Sequence, residues 1–74
     1  MTKIIINEKI RFGKPIIEGT RITVDEVLGA LAGGMTYEEI EEEYGLKKED
    51  ILAALYYATK IIAEERVGRI KIEK

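Results

Sequence analysis

Three amphipathic helices are predicted along the middle of the chain, and the first of them begins after Thr23. Thr23 can accept a hydrogen bond at the start of a helix, and Glu26, three residues later, can return one, which is the pattern of a capping box. Apolar residues then recur at helical spacing, at Val24, Val27, Leu28 and Leu31. Gly33 and Gly34 favour the left-handed conformation that ends a helix, so the first helix is expected to stop there.

The same signals repeat for a second, shorter helix. Thr36 is followed three residues later by Glu39, and the next glycine is Gly45. One face of this helix is aromatic and apolar, with Tyr37, Ile40 and Tyr44. The rest of the helix is acidic, with Glu38, Glu39, Glu41, Glu42 and Glu43.

A third, longer helix is predicted from near Lys48 to about Arg66, before Gly68, with a length of about 28 Å. One apolar stripe consists of Ile51, Leu55, Ala58 and Ile62. Further apolar residues lie outside this stripe, at Leu52, Tyr56, Tyr57 and Ile61. Two short helices cannot cover all of this surface, so we expect a second copy of the chain or another protein to cover the remainder.

Short β-strands are predicted near both ends of the chain. Residues 3–6 are rich in isoleucine and run into a turn at Asn7, and a second extended piece is predicted over residues 10–12. Because Pro15 disfavours helical backbone at Lys14, the chain is expected to stay extended through Ile17. Residues 69–74 alternate between polar and apolar, and we expect them to pair with residues 3–6 in the same chain or in a symmetry mate.

These elements predict one domain of mainly α class, with an extended arm over residues 1–22, three helices over residues 23–66 and a terminal strand over residues 69–74. A chain of 74 residues buries only a modest core, so we expect a homodimer. The residues expected at the contact with a second copy or a partner are Ile4, Ile6, Leu52, Tyr56, Ile61, Ile62, Ile70 and Ile72.

Composition narrows the classes of function. Cysteine, histidine and serine are absent, so disulfides, the usual nucleophile arrangements and most metal sites are removed, and we expect no enzymatic activity, cofactor or metal. A carboxylate-metal hydrolase using Glu38 or Glu42 is an alternative, although helical spacing explains both residues without a metal. We expect a cytoplasmic protein without membrane contact, since no signal peptide or spanning segment is visible. The abundance of Glu, Lys and Ile and the absence of Gln are typical of a thermophilic source.

Charge is segregated along the chain, although the net charge is only -2. Residues 1–21 carry +3, residues 22–50 carry -7 and residues 51–74 carry +2. An acidic middle between basic ends can steer a partner or a second copy, whereas nucleic-acid-binding proteins usually present a clearer basic face.

The spacing around Gly45 indicates a helix-turn-helix motif. Counted over about twenty residues from Tyr37, Gly45 falls in the tight turn. The positions that must be buried are all apolar or aromatic, namely Ile40, Tyr44, Leu46, Ile51 and Ala54. Glu41 departs from the pattern, because a small residue is usual where the helices approach. An ordinary helical hairpin with no nucleic-acid role explains the same spacing and stays open as an alternative.

A recognition helix would place its first turns in the major groove of DNA. The residues predicted to bind nucleic acid are Lys14, Arg21, Lys47, Lys48 and Tyr57, and Glu49, Ala53 and Lys60 also face outward. Glu49 and Asp50 are better explained as favourable charges in the first turn of a helix. Lys14 and Arg21 lie in the loop over residues 13–22, which is also explained as the path that delivers the chain to the first helix.

Several motifs of the chain resemble the domain-of-unknown-function 433 family. They are GKPIIEGTRITV over residues 13–24, Gly34-Met35-Thr36, Tyr44-Gly45-Leu46, Glu49-Asp50-Ile51, Ala53-Ala54-Leu55 and Tyr57-Ala58. The resemblance covers residues 10–58, but Lys47 stands where the family often has threonine, and Gly45 replaces a common proline. It implies a homeodomain-like helix-turn-helix antitoxin of the kind often encoded beside a PIN-like nuclease toxin.

Two functions are therefore expected. In the first, a dimeric, antitoxin-like helix-turn-helix protein binds DNA and neutralises a PIN-like toxin. In the alternative, the chain is a protein-interaction module, a nuclease inhibitor or a structural dimer, that does not bind DNA.

Overall fold

The computed structural model describes residues 2–65, in which a small β-hairpin precedes three α-helices. Strand β1 covers Ile4–Ile6 and strand β2 covers Pro15–Ile17, with a 3-10 turn at Arg11–Gly13 between them. The helices are α1 at Val24–Ala32, α2 at Tyr37–Tyr44 and α3 at Lys48–Glu65. The mainly helical class and the order of the three helices agree with the prediction.

The two strands form an antiparallel pair in which Ile4 lies opposite Ile17 and Ile6 lies opposite Pro15. The predicted strand over residues 69–74, with Ile70 and Ile72, lies outside the described residues, so its pairing stays a prediction. Within residues 2–65, the partner of β1 is β2.

The prediction of an extended segment over residues 10–12 is wrong. Arg11 and Phe12 have φ angles of 52° and 59°, which lie in the left-handed region, and they belong to the 3-10 turn. The chain must reverse between two antiparallel strands, and tertiary contacts of the Arg11 side chain hold this unusual backbone in place.

The predicted capping boxes are confirmed at both short helices. The Thr23 hydroxyl accepts from the Glu26 N–H at 3.1 Å, and the Glu26 carboxylate accepts from the Thr23 N–H at 2.9 Å. Thr36 and Glu39 form the same reciprocal pair at the start of α2. Both helix starts were therefore readable from the sequence, because the bonds join residues only three positions apart.

The core lies between β2, the three helices and the turn after α2. Its buried apolar residues are Ile16, Ile17, Val24, Val27, Ile40, Leu46, Ile51 and Ala54. In α3 the last of these is Ala54, and every described side chain from Thr59 onwards is exposed. The C-terminal part of α3 therefore extends beyond the core. No helix within residues 2–65 combines the length and apolar character needed to cross a membrane.

Candidate functional site

The turn between α2 and α3 has the geometry expected around Gly45. Gly45 ends α2 in the left-handed conformation, with φ 70° and ψ 31°, and its N–H donates to the Glu41 carbonyl. Four of the five predicted core positions are buried, and Tyr44 is half-buried. α2 and α3 thus pack against each other across a tight turn. This geometry suits a DNA reader and a plain helical hairpin equally well.

The first turn of α3 is held by Asp50, which uses both of its carboxylate oxygens. Oδ2 accepts from the Lys47 N–H at 2.9 Å, and Oδ1 accepts from the Thr2 hydroxyl at 2.6 Å. Lysine cannot supply a side-chain cap, so Asp50 satisfies the backbone from inside the helix. The structure thus gives Asp50 a structural role and ties the N-terminal arm to α3, a contact across 48 positions that sequence periodicity does not reveal.

The residues predicted to bind nucleic acid do not form one surface. Lys47 and Lys48 are exposed at the N-terminal end of α3. Lys14 instead lies beside Tyr57 and the C-terminal part of α3. Thirteen helical residues, or about 20 Å, separate Lys48 from Ile61 along the axis. Arg21 is exposed just before α1. Lys14 therefore lies beside a different part of α3 from the end that carries Lys47 and Lys48.

Lys14 forms an ion pair with Asp25, with 3.4 Å between Nζ and Oδ2. The Thr23 hydroxyl and the Lys14 ammonium hold the pKa of Asp25 below its ordinary value, against the opposing effect of partial burial. Both side chains are more than half exposed, so the pair is screened by water and contributes little to stability.

Arg11 organises the arm before α1, and sequence reasoning missed it. Its guanidinium forms a two-pronged contact with the Glu26 carboxylate at 3.2 and 3.1 Å and donates to the Arg21 carbonyl at 2.7 Å. Hydrogen bonds from Arg11, and after them the Thr23 backbone N–H, hold the pKa of Glu26 below its ordinary value. The pair joins residues 15 positions apart, and no local spacing signals it.

An apolar groove of about 420 Å³ lies between α1, β2 and the C-terminal part of α3. We call it the overhang groove. Its lining is Lys14, Pro15, Val24, Asp25, Leu28, Tyr57, Ala58, Ile61 and Ile62. Ile61 is 40% exposed and Ile62 is 70% exposed, so the groove is open on the side where α3 extends past the core.

A second groove of about 420 Å³ lies on the solvent side of α3, and we call it the outer groove. Its lining is Thr2, Glu49, Leu52, Ala53 and Tyr56. Nine helical residues separate Leu52 from Ile61, which rotates the two side chains by about 180° around the axis. The apolar surface that the sequence predicted on α3 is therefore divided into two.

The remaining predicted interface residues lie on the hairpin. Ile4 is half-buried and packs against the core, so its contact is at least partly within the chain. Ile6 is 60% exposed, and Phe12, which the sequence analysis did not single out, is 96% exposed.

Helix α2 presents an acidic surface. Glu38, Glu39, Glu42 and Glu43 are exposed and Glu41 is half-buried. No basic side chain within the described range pairs with any of these glutamates. No group of three acidic residues among residues 2–65 is placed to hold a metal ion.

The chain is similar in sequence and in structure to proteins of Mycobacterium tuberculosis. The Mycobacterium tuberculosis protein named "Putative antitoxin VapB45" is 27% identical over 52 residues, which are 70% of this chain and 22% of that protein. The crystal structure of Rv2018 from Mycobacterium tuberculosis superposes with a TM-score of 0.64 at 27% identity, covering 70% of this chain and 24% of that chain. The chain thus spans about a quarter or less of the length of either protein. The family described as "Protein of unknown function (DUF433)" matches residues 4–58, which is most of the chain, and the chain therefore belongs to that family.

Proposed function

We propose that this protein is an antitoxin-like module that neutralises a nuclease toxin of the PIN-like class by binding it directly. Support comes from the family match, from a relative that is named as an antitoxin, and from the character of the exposed surface. The toxin class follows from the resemblance of the sequence motifs to antitoxins encoded beside PIN-like nucleases.

The observation that carries the proposal is the overhang groove. Its walls are almost entirely apolar, and its charged groups, Lys14 and Asp25, are already paired with each other. Ile62 stands 70% exposed beside it on a rigid helix. An open apolar groove with a rigid aliphatic side chain at its edge is typical of a protein-binding surface and is unsuited to a phosphate backbone.

Capture of a toxin tests this proposal directly. We expect the tagged chain to copurify with the nuclease encoded by the adjacent gene. Ile62→Glu should weaken the complex by at least about tenfold, because it places a charge in an apolar contact. The melting temperature should barely change, since Ile62 is already largely in water.

Phe12→Glu is the control, because Phe12 is an exposed large apolar side chain that does not line the overhang groove. It should leave toxin binding unchanged. Failure to capture any nuclease, or an equal loss with both variants, would contradict the proposal.

DNA binding through α3 is the second candidate function. The packed turn at Gly45 and the exposed Lys47 and Lys48 at the start of α3 favour it. The glutamates of α2 oppose it, because the helix before a recognition helix crosses the DNA backbone and the phosphates would repel its charges. We therefore rank this function below toxin binding.

A titration with duplex DNA from the chain's own upstream region decides between the two. Specific binding through α3 predicts an affinity that falls steeply with salt and that Lys47→Ala and Lys48→Ala weaken, each lowering the salt slope by about one. Lys9→Ala changes an exposed lysine in the hairpin turn and serves as the control. If the titration shows no DNA binding, or binding that the two α3 variants do not weaken, DNA binding through α3 is excluded. Toxin binding then remains the proposed function.

A further inference from the structure

The outer groove combines a large exposed aromatic side chain with a small residue on the same helix. Tyr56 is 66% exposed and Leu52 is 46% exposed, whereas Ala53 is half-buried at the groove. An exposed tyrosine beside a hollow at alanine is a self-complementary shape, because two copies can each place the tyrosine in the hollow of the other.

The charges along the same face are also self-complementary. Glu49 lies near the start of α3 and Lys60 lies eleven residues later, which places them about 16 Å apart along the axis and only about 20° apart around it. The midpoint of this pair falls between Ala54 and Leu55. The midpoint of Ala53 and Tyr56 falls at the same place.

A twofold axis through that midpoint would satisfy both pairs at once. It would place each Glu49 beside Lys60 of the second copy, and each Ala53 beside Tyr56 of the second copy. The Lys60 ammonium already lies 5.5 Å from the centre of the Tyr56 ring. A Tyr56 ring that enters the neighbouring outer groove would therefore carry Lys60 towards the Glu49 that lines that groove.

We propose that two copies of the chain pair through antiparallel α3 helices, with the outer groove of each receiving Tyr56 of the other. The sequence predicted a dimer but placed Leu52, Tyr56, Ile61 and Ile62 in one contact. The proposal assigns the outer groove to the second copy and leaves the overhang groove free. It does not depend on toxin binding. It covers the face of α3 that DNA reading would need, so the dimer and base reading by this face exclude each other.

Charge reversal with rescue tests the proposal by sedimentation or light scattering on the isolated full chain. Glu49→Lys alone or Lys60→Glu alone places two like-charged contacts in the symmetric interface and should raise the dimer Kd by about tenfold. The combined variant Glu49→Lys with Lys60→Glu restores opposite charges. It should return the Kd to within about threefold of the original value.

Restored dimerisation in the combined variant would show that the single variants act at the interface and not on folding. The combined variant still carries any cost that lysine at position 49 imposes on the first turn of α3. Glu42→Lys, an exposed charge reversal on α2, and Ile62→Glu, in the overhang groove, should leave the dimer intact. A chain that stays monomeric at its solubility limit overturns the proposal. So does a dimer that Ile62→Glu dissociates, or one that the combined variant fails to restore. Toxin capture is measured separately, so either proposal can fail without the other.

Discussion

The N-terminal and C-terminal parts of α3 belong to one helix but have different surroundings. Ile51 and Ala54 are fully buried against α1 and α2, while Ile61 and Ile62 extend past the core with 40% and 70% of their surface exposed. α1 has nine residues and α3 has eighteen, so the shorter helix cannot cover the longer one. The inward side of the first part of α3 therefore stabilises the fold, whereas Ile61 and Ile62 in the second part are exposed.

The two grooves of α3 also differ in the kind of partner that they suit. The outer groove has a carboxylate at one end of its face and an ammonium at the other, an arrangement that suits a second copy related by twofold symmetry. The overhang groove offers a broad apolar surface whose charged groups are already paired, which suits a partner of different shape. Excess apolar surface on one helix can thus serve two separate contacts.

Truncation of one isoleucine in each part of α3 should produce the largest contrast. Ile51→Ala is expected to lower the free energy of unfolding by about 3 kcal/mol, because it removes a fully buried side chain and leaves a cavity. Ile62→Ala should change it by less than about 0.5 kcal/mol, since that side chain is mostly solvated. Urea unfolding measures both values. Similar losses at the two positions would show that the C-terminal part of α3 is covered within a single chain.

Replacement of the glycine that seats α3 should have an intermediate effect. Gly45→Ala is expected to cost about 1 to 2 kcal/mol, because a Cβ atom is strained at a φ of 70° although the space around it is open. Gly29→Ala in the interior of α1 is the matched control. No atom lies within 4 Å of its Cβ position and its φ is not positive, so the change should stabilise by about 0.5 to 1 kcal/mol. Thermal unfolding of both variants measures these two effects. A neutral effect of Gly45→Ala would show that the turn does not need glycine to position α3.

Loss of the charge at Glu26 should have the smallest effect, and it should depend on pH. Glu26→Gln can keep the bond to the Thr23 N–H but loses the ion pair with Arg11 at 3.1 Å. The folded pKa of Glu26 lies below its ordinary value of 4.5, so its contribution is present above that pH and is lost as the pH falls through the lower, folded value. At neutral pH we expect a loss of about 1 kcal/mol or less, because the two side chains are 33% and 38% exposed.

Chemical unfolding at a series of pH values from neutral into acid checks this expectation, since the difference between Glu26→Gln and the original chain should shrink as the pH falls below 4.5. Glu42→Gln on α2 is the control and should show no such dependence. A difference that persists in acid would show that Glu26 acts through packing and not through its charge. Neither Arg11 nor Glu26 lines the outer groove, so the dimer through that groove should be unaffected.

Much of the fold could be predicted because the signals are local. Thr23 with Glu26, Thr36 with Glu39, and Gly45 define helix ends through bonds that span three or four residues. The buried positions of α2 and α3 follow from helical spacing. The 3-10 turn at Arg11 was not predicted, because its positive φ angles depend on contacts that are distant in sequence.

The candidate site was predicted less well, for a related reason. The sequence predicted Leu52, Tyr56, Ile61 and Ile62 as contact residues for a second copy or a partner, and all four are exposed. It could not divide them between two grooves, because the division depends on where α1 ends beside α3. It also grouped Lys14 with Lys47 and Lys48, although Lys14 lies beside the second half of α3 and the other two lie at its start.

By itself, the amino-acid sequence determined the three helices, the capping boxes of α1 and α2, the turn at Gly45 and the excess of apolar surface on α3, because each of these depends on neighbours within about one or two helical turns. The tertiary structure alone decided the pairing of β1 with β2, the Arg11–Glu26 contact, the bond from Thr2 to Asp50 and the separation of the two grooves. These features join distant parts of the chain. Their partners come together only when burial of the shared core brings the hairpin and the helices into contact.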